Sequence, residues 1–302
     1  MIHRVLVGGT ASGKKLLAAE LCRRHGLPVL SMDSMKVYRG MDIGTDKPTP
    51  SQQAATPFAL IDLVGHDESF SVGRWAAAAA REVAERDGPV LFAGGTPLYL
   101  RALLSGLCPA PPADAALRQE LAAAWEQQGE EAVRGRLAAG DAESAARLAP
   151  GDRKRVLRAL EVLLLSGRPL SAWQREETRP VVPGSFRVVA LARRPEDRQR
   201  RVAARVERML GDGLVAEVAA LRARAPFAPE PARAIGYAEV LELLEGRLAA
   251  GDLAGRIVVR TRQLQRKQRL FLRSFPEVQW LEVEPDAPLP DLVAEVERAL
   301  EL

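Results

Sequence analysis

A short apolar run near the N-terminus leads into a glycine-rich loop and then into a helical pattern. The run is Val5-Leu6-Val7, the loop reads GGTASGKK from Gly8 to Lys15, and the helical pattern continues to Arg24. A glycine-rich turn between a strand and a helix places backbone N–H groups and the positive end of the helix around one anion. The spacing of its glycines and lysine is that of a phosphate-binding loop, or P-loop. A tight structural turn is the alternative.

We expect all eight loop residues to contact a phosphate or a diphosphate: Gly8, Gly9, Thr10, Ala11, Ser12, Gly13, Lys14 and Lys15. Lys14 supplies a point charge, and the two hydroxyl groups add hydrogen-bond donors. Lys15 departs from the usual pattern, in which Ser or Thr at this position binds Mg²⁺. An ammonium group cannot bind a cation, which leaves three interpretations. Other groups hold the metal, the second lysine partly replaces its charge, or activity is impaired.

Two further strand ends carry candidate site residues. Asp33 lies just past the second predicted strand, at the edge where open α/β sheets bind ligands. It is a candidate general base and a candidate Mg²⁺ ligand, with a turn or N-cap aspartate as the structural alternative. The run PVLFAGGT ends in Gly94, Gly95 and Thr96, where a P-loop ATPase typically has an acid. This ending weakens the case for ATP hydrolysis and favours another substrate with a diphosphate, for which Thr96 is a donor.

Short apolar strands alternate with helical patterns over the first 107 residues, which predicts a parallel α/β sheet. We predict strands over 4–7, 28–31, 58–63, 89–93, 186–192 and 278–283. Only helical patterning occurs between the proline cluster at 108–114 and Gly167. The predicted fold is therefore a P-loop-like parallel sheet flanked by helices, in a core of residues 1–110 and 185–302. An all-helical insertion, 111–184, interrupts that core.

The stretch 256–273 has seven basic residues and no acid. Arg262, Arg266 and Arg269 share one predicted helix face, opposite an apolar stripe of Ile257, Leu264 and Phe271. A face of one sign suggests a polyanion such as nucleic acid, although a plain surface or an acidic partner domain is the alternative. Two further basic faces follow from spacing, one at 154–158 and one formed by Arg198, Arg201 and Arg205.

Composition excludes several other classes of protein. The net charge is +4, and the chain has two cysteines and three histidines, none in a metal-ligand spacing. A structural zinc site is therefore not expected. The apolar runs are too short for a membrane span, so we expect no membrane partner. The two scattered cysteines fit a reduced cytosolic compartment.

Seven stretches, in order, resemble motifs of the bacterial tRNA dimethylallyltransferases (isopentenyl-tRNA transferases). They are GGTASGK, DSMKVYRGMDIGTDKP, LIDL, FAGGTPLYLRALLSGL, DRKRVLRALEV, ARAIGYAEV and TRQLQRKQRLFLR. The resemblance runs from about Val5 to Arg273. It implies a P-loop fold with a helical insertion, and transfer of a dimethylallyl group from dimethylallyl diphosphate to tRNA. The acceptor would be the exocyclic amine of the adenosine 3′ of the anticodon, in tRNAs that read codons beginning with U.

The resemblance also implies roles for individual residues. Asp33 would be the general base, Thr96 would act beside it, and the loop would hold the diphosphate, with Mg²⁺ as cofactor in a monomeric enzyme. Together with the basic helix, the expected tRNA contacts are Asp33, Ser34, Met35, Lys36, Thr96, Arg118, Lys154, Arg155, Val156, Leu157, Arg158, Arg262, Arg266 and Arg269. The sequence departs from the family at Lys15, at Gly9, where proline is common, and at Lys36, where glutamine is frequent. The segment PFALID, residues 57–62, also lacks the paired histidines that usually precede LID in the family.

Two alternative functions remain. One is a P-loop kinase of a small molecule or nucleotide, and the other is a non-catalytic tRNA-binding protein with a degenerate P-loop. The missing strand-end acid argues against the kinase. The retained Asp33, Lys14 and Thr96 argue against the degenerate binder.

Overall fold

The computed structural model describes all residues, 1–302. Its centre is a single six-stranded sheet in the order β3-β2-β4-β1-β5-β6, and all neighbouring strands are parallel. The strands are β1 (Ile2–Gly8), β2 (Val29–Met32), β3 (Phe58–Ala59), β4 (Leu91–Gly94), β5 (Ser185–Arg193) and β6 (Val278–Val283). The predicted class, a P-loop-like parallel sheet flanked by helices, is confirmed.

Thirteen α-helices accompany the sheet. The first eight are α1 (Lys14–His25), α2 (Pro50–Ala55), α3 (Val72–Ala84), α4 (Pro97–Ser105), α5 (Ala115–Gly140), α6 (Ala142–Arg147), α7 (Arg153–Ser166) and α8 (Leu170–Gln174). The last five are α9 (Pro195–Gly211), α10 (Leu214–Arg224), α11 (Tyr237–Leu244), α12 (Leu253–Leu272) and α13 (Leu289–Leu300). None of these helices combines the length and the apolar character that a membrane crossing requires.

The chain forms two compact units. The first comprises residues 1–104 and 181–302 and contains the sheet, and the second comprises residues 105–180 and contains α5–α8. Both boundaries lie a few residues before the predicted ones. The second unit has its own apolar core, to which α5 and α7 contribute Leu121, Val133, Leu137, Val156, Ala159 and Leu160.

The core of the first unit fixes the position of β1. Val5, Leu6 and Val7 are at most 1% exposed, as expected for a central strand covered on both faces. One face of the sheet packs against α1 and α13 through Leu17, Leu21, Val293 and Val296. Because Val7 and Met32 both pair with Gly94, the loops after β1, β2 and β4 emerge at one edge of the sheet.

The third strand is shorter than predicted. It ends at Ala59 because Leu60 and Asp62 have φ values of 63° and 55°, in the left-handed region that interrupts a strand. Asp62 instead donates its backbone N–H to the carbonyl of Lys36 and binds the buried ammonium of Lys47 at 2.7 Å. The segment predicted as a longer strand therefore supports the turn after β2.

Candidate active site

The loop between β1 and α1 has an open helix end. Gly13 caps α1 with φ = 96°, no side chain hydrogen-bonds to the cap, and the first turn contains no acidic residue. The first N–H groups of a helix lack intrahelical acceptors, so these donors and the helix dipole are available to an anion. Ser12 adds a hydroxyl that is buried and has no partner in the protein, as expected for a donor that serves a ligand.

Lys14 reaches across this loop. Its Nζ donates to the carbonyl of Gly9 at 3.2 Å. A Cβ atom at Gly95 would lie 3.6 Å from the same nitrogen and 3.0 Å from the carbonyl of Gly8, so glycine allows β4 to end close against the loop. Burial lowers the pKa of Lys14 to about 8, and the attraction of Asp33 offsets only part of this effect. A bound anion would favour the protonated lysine.

Two glutamines of α12, which the sequence analysis did not include in the site, bind the backbone of the phosphate loop. Gln268 accepts a hydrogen bond from the Thr10 N–H at 3.1 Å and donates to the Gly95 carbonyl at 2.7 Å. Gln265 donates to the Thr10 carbonyl at 2.6 Å. The predicted apolar stripe of α12 was therefore wrong in part. Leu264 is exposed, and the buried face carries polar side chains. The only sequence signal was a pair of glutamines three residues apart within an otherwise basic stretch.

Arginines from β5 and α9 hold the loop carbonyls. Arg193 donates from Nε to the Ser12 carbonyl at 2.7 Å, and Arg201 donates to the Ala11 carbonyl at 2.8 Å. Buried Asp197 holds Arg193 at 2.8 Å. We predicted Arg201 and Arg205 as part of a basic face for nucleic acid, but both instead line a cavity beside the phosphate loop, which is described below. Spacing along α9 identified their common face, but it did not reveal what that face contacts.

The side chain of Lys15 is held by an aspartate. Its Nζ lies 2.6 Å from Oδ1 of Asp46, which the sequence did not identify as a site residue. Arg205 lies 3.6 Å from the other carboxylate oxygen of Asp46. Burial raises the pKa of the Asp46 carboxyl, but Arg205 and Lys15 outweigh this effect and hold it below its usual value. The ammonium group of Lys15 is therefore ion-paired within the protein and is not freely solvated.

Asp33 follows β2 and Thr96 follows β4, and a hydrogen bond links the two segments. The Thr96 hydroxyl accepts a hydrogen bond from the Ser34 N–H at 3.0 Å, and Asp33 accepts one from the Met35 N–H at 2.9 Å. A Cβ atom at Gly94 would lie 2.2 Å from the Met32 carbonyl, so this close approach requires glycine. Asp33 stays half-buried, with its second carboxylate oxygen available to a ligand.

A half-buried glutamate and a buried tyrosine shape the segment that carries Asp46. Glu217 accepts hydrogen bonds from the N–H groups of Asp42 at 3.1 Å and Ile43 at 2.8 Å, and the Tyr237 hydroxyl donates to it at 2.5 Å. The tyrosine ring occupies the place of a side chain at Gly44, where a Cβ atom would lie 2.3 Å away. The motifs DIGTDKP and AIGY therefore meet in space.

These elements enclose one cavity of about 1260 Å³ within the first unit. Of the predicted site, the residues that line it are Thr10–Lys15, Asp33–Lys36 and Thr96. Gly8 does not line it. Gly9 borders a second cavity of about 430 Å³, which Arg262, Arg266 and Arg269 line together with Arg198. The structure thus brings the catalytic candidates together with most of the diphosphate candidates, and it separates Arg262, Arg266 and Arg269 from them.

The tRNA-contact candidates of the second unit divide by exposure. Lys154 and Arg155 are exposed, whereas the Val156 side chain is fully buried in the core of that unit, which leaves only its backbone for the predicted tRNA contact. Leu157 packs against the same core. Arg118 and Arg158 meet at a common partner, because each binds a different carboxylate oxygen of buried Glu161, at 2.9 Å and 2.7 Å.

Comparison with known proteins assigns the family. The model described as IPP transferase matches residues 36–275. A tRNA dimethylallyltransferase of Thioalkalivibrio sulfidiphilus is 42% identical over 304 residues, which cover 98% of this chain and 94% of the relative.

Similar solved structures come from the same family of enzymes. A full-length tRNA isopentenylpyrophosphate transferase from Bacillus halodurans is 30% identical, with a TM-score of 0.69 over 99% of this chain and 96% of its own. A eukaryotic dimethylallyltransferase acting on tRNA shares the fold, with a TM-score of 0.78 at 24% identity over 93% of this chain and 73% of its own. The family match and the identity across nearly the whole chain show that it belongs to the tRNA dimethylallyltransferase, or IPP transferase, family.

Proposed function

We infer that this chain is an enzyme that prenylates tRNA, as the names of its relatives indicate for them. We propose further that it transfers a dimethylallyl group from dimethylallyl diphosphate to the exocyclic amine of the adenosine 3′ of the anticodon. One observation carries the proposal. The uncapped end of α1 and the carboxylate of Asp33 line the same cavity. Prenyl transfer to an amine needs both a site for the leaving diphosphate and a proton acceptor.

The proposed reaction is a displacement at the allylic carbon. The amine nitrogen bonds to C1 of the dimethylallyl group while the bond from C1 to the diphosphate oxygen breaks, and the diphosphate leaves with the electron pair. Lys14, the Ser12 hydroxyl and the first N–H groups of α1 stabilise the charge on the leaving group. Asp33 accepts the proton that the amine loses. Thr96 accepts a hydrogen bond from the Ser34 N–H and so positions the turn that carries Asp33. Its hydroxyl group also adds a hydrogen-bond donor at the cavity.

The tRNA must present its adenine to the cavity. A stacked base cannot reach a buried carbon, so the adenine leaves the anticodon stack, and we propose that Ser34, Met35 and Lys36 contact it. Contacts to the tRNA backbone would come from basic side chains, which give affinity without reading sequence. These are Arg118, Lys154, Arg155, Arg158, Arg262, Arg266 and Arg269. The preference for tRNAs that read codons beginning with U rests on the family resemblance.

Mg²⁺ is the expected cofactor, but the donor set of the chain fits it poorly. No three His, Cys, Asp or Glu side chains group together in a way that could hold a metal ion. Position 15 offers an ammonium group where a P-loop offers a hydroxyl, which leaves the carboxylate of Asp33 as the candidate ligand. One carboxylate is a sparse set for an ion that prefers six oxygen ligands. We propose that Mg²⁺, where it takes part, is bound mainly through the diphosphate.

The alternative functions have less support. β4 ends in Gly94 and not in the acid that helps hold Mg²⁺ beside the γ-phosphate of ATP, which disfavours a kinase. The intact contacts of Lys14 and Thr96 disfavour a degenerate binder. We propose that the enzyme acts as a monomer, which light scattering would test.

Transfer of label tests the proposed function. The protein is incubated with unmodified tRNA that carries adenosine 3′ of the anticodon and with labelled dimethylallyl diphosphate, and in parallel with labelled ATP. We expect label from the allylic donor at that adenosine and none from ATP. Turnover of ATP without prenylation would support the kinase, and tRNA binding without either reaction would support the degenerate binder.

A further inference from the structure

The pair formed by Lys15 and Asp46 stands where a P-loop usually serves a metal ion. In a P-loop the residue after the loop lysine provides a hydroxyl group that binds Mg²⁺. Lys15 has no electron pair to donate to a cation, but it brings a fixed positive charge to the same point of α1. Its Nζ lies 2.6 Å from Asp46, and the two side chains are only 22% and 30% exposed. The ammonium group is therefore held at the wall of the cavity.

The charges around the loop are unbalanced without a ligand. Two carboxylates face four cationic side chains in mutual electrostatic contact, namely Asp33 and Asp46 against Lys14, Lys15, Lys36 and Arg205. All six line the same cavity. The excess of two positive charges lies beside the open N-terminus of α1, which adds its own positive potential. A diphosphate is an anion that can neutralise this excess without a divalent ion.

We propose that the Lys15–Asp46 pair replaces the protein-held metal of this site, so that the chain binds a diphosphate in the absence of Mg²⁺. Lys15 supplies the charge that the metal would bring, and Asp46 keeps the ammonium group in position while the cavity is empty. Arg205, 3.6 Å from the other oxygen of Asp46, holds that carboxylate in turn. This inference rests on the proposed function, since it assumes that the diphosphate binds at the loop.

Titration calorimetry with inorganic pyrophosphate, first in EDTA and then in excess MgCl₂, tests the inference. The wild-type protein should bind pyrophosphate in EDTA with a Kd within about threefold of its value in Mg²⁺. Lys15→Thr restores the hydroxyl and removes the charge, so its binding should weaken about tenfold in EDTA and recover in Mg²⁺. Lys15→Met has neither group and should bind weakly in both buffers.

Arg23→Thr is the matched control. It removes an exposed positive charge from the same helix, where Arg23 pairs only with Glu20, and it should bind pyrophosphate like the wild type. Thermal unfolding of each variant without ligand shows whether it is folded. The wild-type comparison of the two buffers stands even if one substitution at position 15 prevents folding.

The outcomes separate this inference from the function on which it rests. Wild-type binding that requires Mg²⁺ would overturn the inference and leave the diphosphate site intact. Lys15→Thr binding pyrophosphate in EDTA as tightly as the wild type would overturn it too, because the charge would then contribute nothing. A wild-type protein that binds no pyrophosphate in either buffer would overturn both the proposed diphosphate site and the inference.

Discussion

The backbone N–H of Thr10 donates a hydrogen bond to the side chain of Gln268, which lies 258 positions later in the chain. The same side-chain amide donates to the carbonyl of Gly95, so one residue of α12 joins the phosphate loop to the end of β4. Because Gln268 is buried, water cannot easily replace either bond. The shape of the loop therefore depends on a helix that is remote in sequence.

Replacing Gln268 with leucine should loosen the loop. The change leaves the Thr10 N–H and the Gly95 carbonyl without partners, which should cost about 1–3 kcal/mol of unfolding free energy. Pyrophosphate affinity should fall about tenfold as well, since the loop donors are no longer held in place. Chemical denaturation and calorimetry measure the two effects. Gln279→Leu on β6, at an exposed position, is the control. A destabilised Gln268→Leu protein that keeps full pyrophosphate affinity would show that the loop holds its shape alone.

The contrast between Lys14 and Gln268 shows how much of the site was predictable. Lys14, Asp33 and Thr96 follow three strands of one parallel sheet, and the carboxyl ends of such strands share an edge. Their meeting in one cavity therefore followed from the order of strands and loops. Gln268 was not predictable, because its role depends on how α12 packs and not on its local pattern.

The positions of Asp46 and of the end of β3 also depend on tertiary contacts that the local sequence does not reveal. Asp46 has a φ of 53° and reaches Lys15 only because Glu217 and Tyr237 shape its segment. No periodicity in the sequence encodes that path. The apolar residues at 58–63 predicted a six-residue β3, but the strand ends after two residues because the next ones include left-handed backbone conformations. Local patterns predicted the elements, and tertiary contacts determined the loops between them.

Asp33 should be needed for transfer and not for tRNA binding. Its carboxylate lies at the cavity and accepts one hydrogen bond from the Met35 N–H, which asparagine can also accept. Asp33→Asn keeps the turn and removes the proton acceptor, so the transfer rate should fall by about 10²-fold or more. Single-turnover kinetics and filter binding with tRNA measure the two properties. Loss of tRNA affinity equal to the loss of rate would assign Asp33 to binding.

Diphosphate affinity should fall as pH rises above neutrality. Burial lowers the pKa of Lys14 from 10.5 to about 8, and burial also lowers that of Lys36 to about 8. Both ammonium groups lose protons above this pH in the empty protein, so pyrophosphate must restore the protons in order to bind. We expect the affinity to fall about tenfold or more between about pH 7 and about pH 9. Calorimetry in buffers of different ionisation enthalpy should detect the proton uptake directly, and equal affinity at the two pH values would contradict this assignment.

The same pKa values predict the opposite trend for the stability of the empty protein. Because the folded pKa of Lys14 is depressed, the unfolded chain holds more protons than the folded one between about pH 8 and about pH 10.5. The contribution of this lysine to unfolding free energy therefore rises with pH across that window. Lys14→Met should remove part of the rise, measured as the difference from wild type in urea denaturation at each pH. A pH dependence identical to that of wild type would contradict the shifted pKa.

Glu161 should act on tRNA binding through the two arginines that it holds. Its fully buried carboxylate binds Arg118 and Arg158 and also accepts the N–H of Asp114 at 2.9 Å. Glu161→Gln keeps the shape but removes the charge, so both guanidinium groups lose their fixed orientation. The substitution should cost about 1–3 kcal/mol of unfolding free energy, since a buried hydrogen-bonded charge is lost. If these arginines bind tRNA phosphates, tRNA affinity should fall as well.

The salt dependence of tRNA binding distinguishes this positioning role from a merely structural one. Arg158→Ala removes one proposed phosphate contact, so the slope of log affinity against log salt should become shallower by about 0.7–0.9. Glu161→Gln should flatten the slope in the same direction, because it displaces Arg118 and Arg158 together. Glu131→Gln changes an exposed glutamate of α5 and should alter neither stability nor slope. If Glu161→Gln lowers the unfolding free energy but leaves the slope unchanged, then Glu161 only stabilises the second unit and the two arginines do not contact tRNA phosphates.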